Sequence, residues 1–142
     1  MSGQVSYLLD TNVLSETRKL KADPGVMEFL ATVDDASLLI SVLTIGELRK
    51  GIASIKLRDP ASGAARRLME WVDGLEDGFA DRILAIDAAT ATLWGDWSAR
   101  RPRPVVDTLL AATAVRHNLT LVTRNMRDLE GIPVSAFNPW QE

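Results

Sequence analysis

Three short segments far apart in the chain each set one carboxylate among apolar neighbours: Leu9-Asp10-Thr11-Asn12, Ile45-Gly46-Glu47-Leu48 and Val106-Asp107-Thr108-Leu109. An isolated ionised carboxylate in apolar surroundings is costly unless it is paired, hydrogen-bonded or bound to a metal. Three such positions in 142 residues point to one shared cation. Bringing three carboxylates together raises their pKa values by mutual repulsion, and a divalent ion relieves that repulsion. The absence of cysteine excludes disulfides, thiolate catalysis and cysteine-based zinc sites. The single histidine, His117, leaves little room for a serine–histidine triad and reads as a capping or surface imidazole at a helix C-terminus. Oxygen donors remain, and they favour Mg²⁺ or Mn²⁺ over softer ions.

An oxygen-ligated divalent ion keeps several waters and can polarise a phosphodiester, activate water and stabilise a leaving oxygen. The net charge of −3, from 16 basic and 19 acidic residues, argues against bulk attraction to nucleic acid. Distribution matters more than the sum. Arg18-Lys19 with Lys21, Arg49-Lys50, Arg100-Arg101 with Arg103, and Arg124 with Arg127 all lie a few residues from a candidate site residue. A basic rim around an acidic centre suits a metal-dependent phosphodiester enzyme, while solvated charges on helix ends are the plainer alternative.

The elements that must position these groups follow from pattern. With 46% apolar and 25% charged residues the chain reads as one soluble domain over 1–142. No run approaches a membrane span, and Met1-Ser2-Gly3-Gln4-Val5 has no secretory character, which suits the cytoplasm. Strands are expected over Val5–Asp10, Ser37–Val42, Arg82–Ile86, Leu119–Thr123 and Pro133–Phe137. Helices are expected over Val13–Arg18, Pro24–Val33, Thr44–Lys56, Ala64–Leu75, Ala88–Ala99 and Val105–His117, the last apolar almost all round and therefore buried. Leu57–Gly63 reads as a turn, and Pro102 with Pro104 must break the chain between the last two helices. Alternating strands and helices predict an α/β fold, a three-layer α/β/α sandwich on a mainly parallel sheet of about five strands.

In such a sheet, ligands collect outside the carboxyl ends of the strands. Asp10 ends the first strand. Glu47 sits in the early turns of the helix leaving the second strand, with its side chain tilted back toward that helix's amino terminus. Asp107 opens a helix antiparallel to the strands, and Asn125 follows the strand ending at Thr123, with Asp128 three residues on. Topology alone aims all of these at one edge.

Each residue also has a structural role open to it. Asp10 can cap a helix, Glu47 can pair with Lys50, and Asp107 suits a helix dipole. Thr11 and Asn12 can position Asp10 or cap locally, and Thr123 can be a supporting hydroxyl or a strand end. Gly51 either leaves the approach to Glu47 open or permits close helix packing. Trp71, Trp94, Trp97 and Trp140 read as core or interface residues.

At these residues the chain resembles the PIN-domain ribonucleases, and within them the VapC-type toxins of toxin–antitoxin pairs. The resemblance rests on Leu8-Leu9-Asp10-Thr11-Asn12-Val13-Leu14-Ser15-Glu16, on Ile40-Ser41-Val42 through Gly46-Glu47-Leu48 to Gly51, on Asp107 through Ala114, and on Leu121-Val122-Thr123-Arg124-Asn125. Phe137-Asn138-Pro139-Trp140 is similar to the FitB-like subgroup. The resemblance implies a PIN-like fold and a Mg²⁺- or Mn²⁺-dependent endoribonuclease. It also implies a homodimer, inhibited by a cognate VapB-type antitoxin that supplies any contact with DNA. It makes Asp10, Glu47 and Asp107 the acidic triad. The family's fourth position, often aspartate, falls here on Asn125, whose amide oxygen is neutral and a weaker partner than a carboxylate. Asp128 stands one turn on.

Two other classes compete. A haloacid dehalogenase-type phosphatase would use Asp10 as nucleophile, although its expected second aspartate is Asn12 here and no lysine occurs beyond Lys56. A non-catalytic regulatory module would act through its partner alone. RNA target and cleavage sequence are not encoded in readable form, because such sites recognise groove shape and unpaired bases.

Overall fold

The computed structural model describes residues 4–141. Met1–Gly3, which open the stretch read for a secretory signal, and Glu142 lie outside the described residues. Five strands form one sheet in the order β3-β2-β1-β4-β5: β1 (Tyr7–Leu9), β2 (Leu38–Ser41), β3 (Ile83–Leu84), β4 (Thr120–Val122) and β5 (Ala136–Phe137). Every pairing is parallel, with Leu8 beside Leu39 and Leu121 in the central register.

Side chains alternate across a strand, and here both faces are covered. Leu8 and Leu121 pack into a cluster with Leu110, Ala111 and Ala114 of α6 (Val105–Arg116) and Trp97 of α5 (Ala88–Arg100). Leu9, Val122, Leu38 and Ile40 face the opposite layer. There they meet Val13 of α1 (Thr11–Glu16), Val26 of α2 (Pro24–Thr32), and Trp71 and Leu75 of α4 (Gly63–Phe79). Burial on both faces is why the strands read as continuous apolar runs. A third cluster, Leu48, Ile52 and Val72, joins α3 (Val42–Arg58) to α4. The architecture is the α/β/α sandwich that alternation predicts, with the sheet wholly parallel. No helix of the described residues is long and apolar enough to cross a membrane.

Boundaries shift for local reasons. The strands are shorter than predicted, because pairing ends where the chain turns into a helix. α1 starts at Thr11 rather than Val13, since Asp10 itself takes the N-cap position. α3 starts at Val42 because the Ser41 side chain accepts from the Leu43 N–H at 3.0 Å. α4 runs past Leu75 to Phe79 and stops where Ala80 takes φ 22°. His117 caps the end of α6, its N–H donating to the Thr113 carbonyl.

The carboxyl-terminal segment is fixed against the start of α2. Gln141 N–H donates to the Asp23 carboxylate, and Asp23 also caps Val26 N–H. Gly25 is required there: a Cβ would stand 2.2 Å from the Pro139 carbonyl oxygen. Trp140 is buried, as is Trp97 on the inner face of α5.

Candidate functional site

Asp10 leaves β1 at the carboxyl edge, its N–H continuing the ladder to the Val122 carbonyl at 3.0 Å. It occupies the N-cap position of α1 yet makes no side-chain capping hydrogen bond. The buried carboxylate instead meets the Thr11 and Asn12 amides and Thr123, whose hydroxyl donates to Oδ2 at 2.6 Å. Thr123 is itself buried at the end of β4 and accepts the Asn125 N–H at 3.0 Å. Burial pushes the Asp10 pKa up. The Thr123 hydroxyl and the Thr11 amide act against that rise, and the Glu47 charge adds to it.

Glu47 corrects one expectation: its side chain is exposed, not enclosed by apolar groups. The helical face that buries Leu48 and Ile52 against α4 leaves Glu47 outward, beside a cleft of about 430 Å³ lined with Val42, Leu43, Gly46, Lys50 and Val106. It is nevertheless held. Thr11 Oγ1 donates to Glu47 Oε1 at 2.5 Å, and the fully buried Thr44 hydroxyl lies 3.2 Å from that same Thr11 oxygen. Thr11 thus serves both acids, its hydroxyl positioning Glu47 and its amide bonding the Asp10 carboxylate. Thr44 was missed in the sequence; its signal is a threonine three residues before Glu47, on the same side of α3. Asn12 Oδ1 is buried without a partner. Gly51 faces Leu68 of α4, and a Cβ there would make only an ordinary contact at 3.9 Å, so close helix packing does not require the glycine.

Asp107 lies in the first turn of α6, half-buried. Its pKa is raised to about 6, first by burial, then by the Asp10 charge, by a side-chain hydrogen bond with Asp128, and by the Asp128 and Glu47 charges. Asp10, Glu47 and Asp128 therefore all stand within electrostatic reach of Asp107, and Asp10 and Glu47 within reach of each other. Among the described residues no three acidic or histidine side chains are grouped closely enough to ligate one ion directly. Asn125 is exposed and caps nothing with its side chain, so Asp128 is the group brought against Asp107.

The basic rim is sparser than the sequence suggests. Arg49 turns away to bridge α3 and α4, meeting Asp73 at 2.8 Å and Glu76 at 2.6 Å. Arg18 lies over Trp71 and Arg124 over Trp140, at 5.1 and 5.4 Å from the ring centroids. Lys19 pairs with Glu16 at 3.0 Å. Arg101 and Arg103 stay at the rim, each donating one N–H to the Glu130 carbonyl.

Comparison with known proteins agrees with this geometry. Residues 7–132 match the model of the PIN domain. Toxin FitB of Neisseria gonorrhoeae is 30% identical over 140 residues, covering 95% of this chain and 99% of that protein. VapC ribonuclease Y4jK of Sinorhizobium fredii is 29% identical, covering 94% and 97%. Among solved structures, FitAB bound to a DNA fragment gives a TM-score of 0.84 at 27% identity, over 96% of each chain. FitAcB from N. gonorrhoeae gives 0.81 at 28%, over 96% and 99%. With a buried aspartate following β1, Glu47 and Asp107 within its electrostatic reach, and the family model spanning most of its length, this chain belongs to the PIN-domain family.

Proposed function

We propose that this protein is a divalent-metal-dependent endoribonuclease, the toxin of a toxin–antitoxin pair, with Asp10, Glu47 and Asp107 as its working acids. The observation that carries the reading is the convergence on Asp107 of Asp10, Glu47 and Asp128 from three other segments of the chain; burial first, and then these acids, push its carboxyl up to about 6. The names of its relatives, a toxin and a VapC ribonuclease, point the same way. The donors fit a hard cation: all are oxygens, and their mutual repulsion is what a cation relieves. Asp10, Glu47 and Asp107 would hold Mg²⁺ or Mn²⁺, in part through waters. When bound, the ion supplies polarisation of the phosphodiester and activation of water.

The chain's own residues do the rest. Thr123 keeps Asp10 oriented and favours its ionised form, and Thr11 fixes one oxygen of Glu47. Before the ion binds, Asp107 shares a proton with Asp128, its carboxyl being raised to about 6, and a bound ion would displace that proton. Asn125, exposed beyond β4, offers its amide N–H to a phosphate oxygen. The antitoxin partner, VapB-type, would contact DNA; the FitAB structure, bound to a DNA fragment, supports that arrangement. Cytoplasmic location and a homodimer complete the reading. Membership in the PIN family displaces the phosphatase alternative.

The test is cleavage of RNA by the purified chain with Mg²⁺ or Mn²⁺. Activity that vanishes in Asp10→Asn with the fold retained is expected. Undiminished cleavage by that variant, or none by the wild type freed of its antitoxin, overturns the reading.

A further inference from the structure

Arg101 and Arg103 aim two cations at one backbone oxygen. Arg101 Nη2 and Arg103 Nη1 each donate to the Glu130 carbonyl at 3.0 Å. The two donor nitrogens are therefore no more than twice that distance apart. Neither guanidinium has a carboxylate partner among the described residues, and the Nε–H of Arg103 has no acceptor there. Two like charges this close repel, and a single neutral carbonyl does not neutralise them. The arrangement is prepared rather than incidental. Arg101 and Arg103 both precede prolines, which restrict their backbones to extended conformations. Arg101 itself has φ −164° and ψ 155°. The accepting carbonyl precedes Gly131, whose φ of +83° is left-handed and where a Cβ would crowd Arg103 Nη2 at 3.2 Å.

The position matters as much as the charge. The arginine strap joins the two segments that deliver the acids. Pro104, next after Arg103, is the N-cap of α6 and lies one turn before Asp107. Glu130 closes the 3₁₀ turn Met126–Leu129, which carries Asp128. Guanidinium groups match phosphate geometry through paired donors; after serving Glu130, the exposed Arg101 keeps donors on its other nitrogens and Arg103 keeps Nη2, its Nε being buried.

We propose that Arg101 and Arg103 form a phosphodiester clamp, binding a backbone phosphate of RNA that flanks the one presented to Asp10 and Asp107. The clamp rests on the ribonuclease reading for its ligand. It holds substrate without touching the reacting atoms.

The test compares wild type, Arg101→Gln/Arg103→Gln and Arg101→Lys/Arg103→Lys. A fluorescent single-stranded oligoribonucleotide is titrated in EDTA at several salt concentrations, and cleavage is measured separately with Mn²⁺. The glutamine pair is expected to weaken binding by about 10- to 100-fold and to flatten the dependence of log K on log salt by about 0.7 per lost phosphate contact. KM should rise with kcat within about twofold. The lysine pair, which keeps charge without the fork, should fall between, and it carries the test if the glutamine pair melts early. Unchanged affinity and salt slope in both variants overturn the clamp, as does arginine-dependent binding of an acidic peptide with RNA binding unaffected. Wild type that binds RNA through these arginines but cleaves none overturns the nuclease reading and leaves the clamp. Cleavage with KM indifferent to both variants does the reverse.

Discussion

The Thr123 hydroxyl stands 2.6 Å from Oδ2 of Asp10, a hydrogen bond spanning 113 positions of sequence inside the protein. Because Thr123 also accepts from Asn125 N–H, its own proton is directed at the aspartate. Thr123→Val keeps the shape and removes that donor. A buried acceptor left unmatched costs about 1–3 kcal/mol, so the melting temperature should fall by several degrees. Losing the bond raises the Asp10 pKa further, shifting the acid limb of the pH–rate profile toward higher pH and lowering activity about 10- to 100-fold. Thr123→Ser should restore both.

Asp107→Asn removes one member of a mutually repelling set. RNA cleavage should drop at least about 100-fold, while the metal-free protein melts higher than wild type at neutral pH. The gain should disappear when Mg²⁺ or Mn²⁺ is added, because only the wild type is then stabilised. An RNA cleavage assay reads the first effect, and differential scanning calorimetry with and without metal reads the other two.

The pH dependence has a definite sign. Asp107 has a folded pKa of about 6 against 3.8 for the ordinary carboxyl, so between these values the native state binds more protons than the unfolded chain. Stability of the metal-free protein from this group is therefore greatest below about pH 4 and is lost as pH rises through about 6. The raised Asp10 contributes in the same direction. Metal competes with those protons, and its affinity should increase over the same window, as isothermal titration at pH 5, 6 and 7 would show.

Arg49→Ala separates framework from rim. Its guanidinium serves Asp73 and Glu76 across α3 and α4, at a half-exposed position where such pairs contribute about 0–1 kcal/mol. A melting shift of a few degrees at most and unchanged RNA cleavage are expected.

Gly25→Ala tests the carboxyl-terminal anchor. Its Cβ would collide with the Pro139 carbonyl, and because that neighbour is backbone the segment must shift, costing about 1–3 kcal/mol. Proteolysis should cut the variant near residues 138–141 while wild type resists.

The sheet and its functional edge were legible because Leu8, Leu9, Leu121 and Val122 fill both faces of a parallel sheet and so leave an uninterrupted apolar pattern. Asp10 and Asp107 could be placed by topology alone. What stayed hidden depends on partners across the fold. Nothing near Arg49 in sequence announces Asp73 and Glu76, and nothing in Arg100-Arg101-Pro102-Arg103-Pro104 announces the Glu130 carbonyl. The exposure of Glu47 was masked by Ile45 and Leu48, apolar neighbours that belong to a different face of the same helix. Asp128 became visible as a partner of Asp107 only once the turn after β4 was folded against α6.

The adjacency of β1 and β4 also orders the events of synthesis. Asp10, Glu47 and Asp107 are all synthesised before the strand that completes the centre of the sheet, Asp107 only shortly before it. A chain ended before Thr120 carries all three acids, yet lacks the strand that flanks β1 and the hydroxyl that holds Asp10. Translation thus delivers the acids one by one and the organised site only near the end of the chain, so an unfinished polypeptide holds the ingredients of the chemistry without their arrangement.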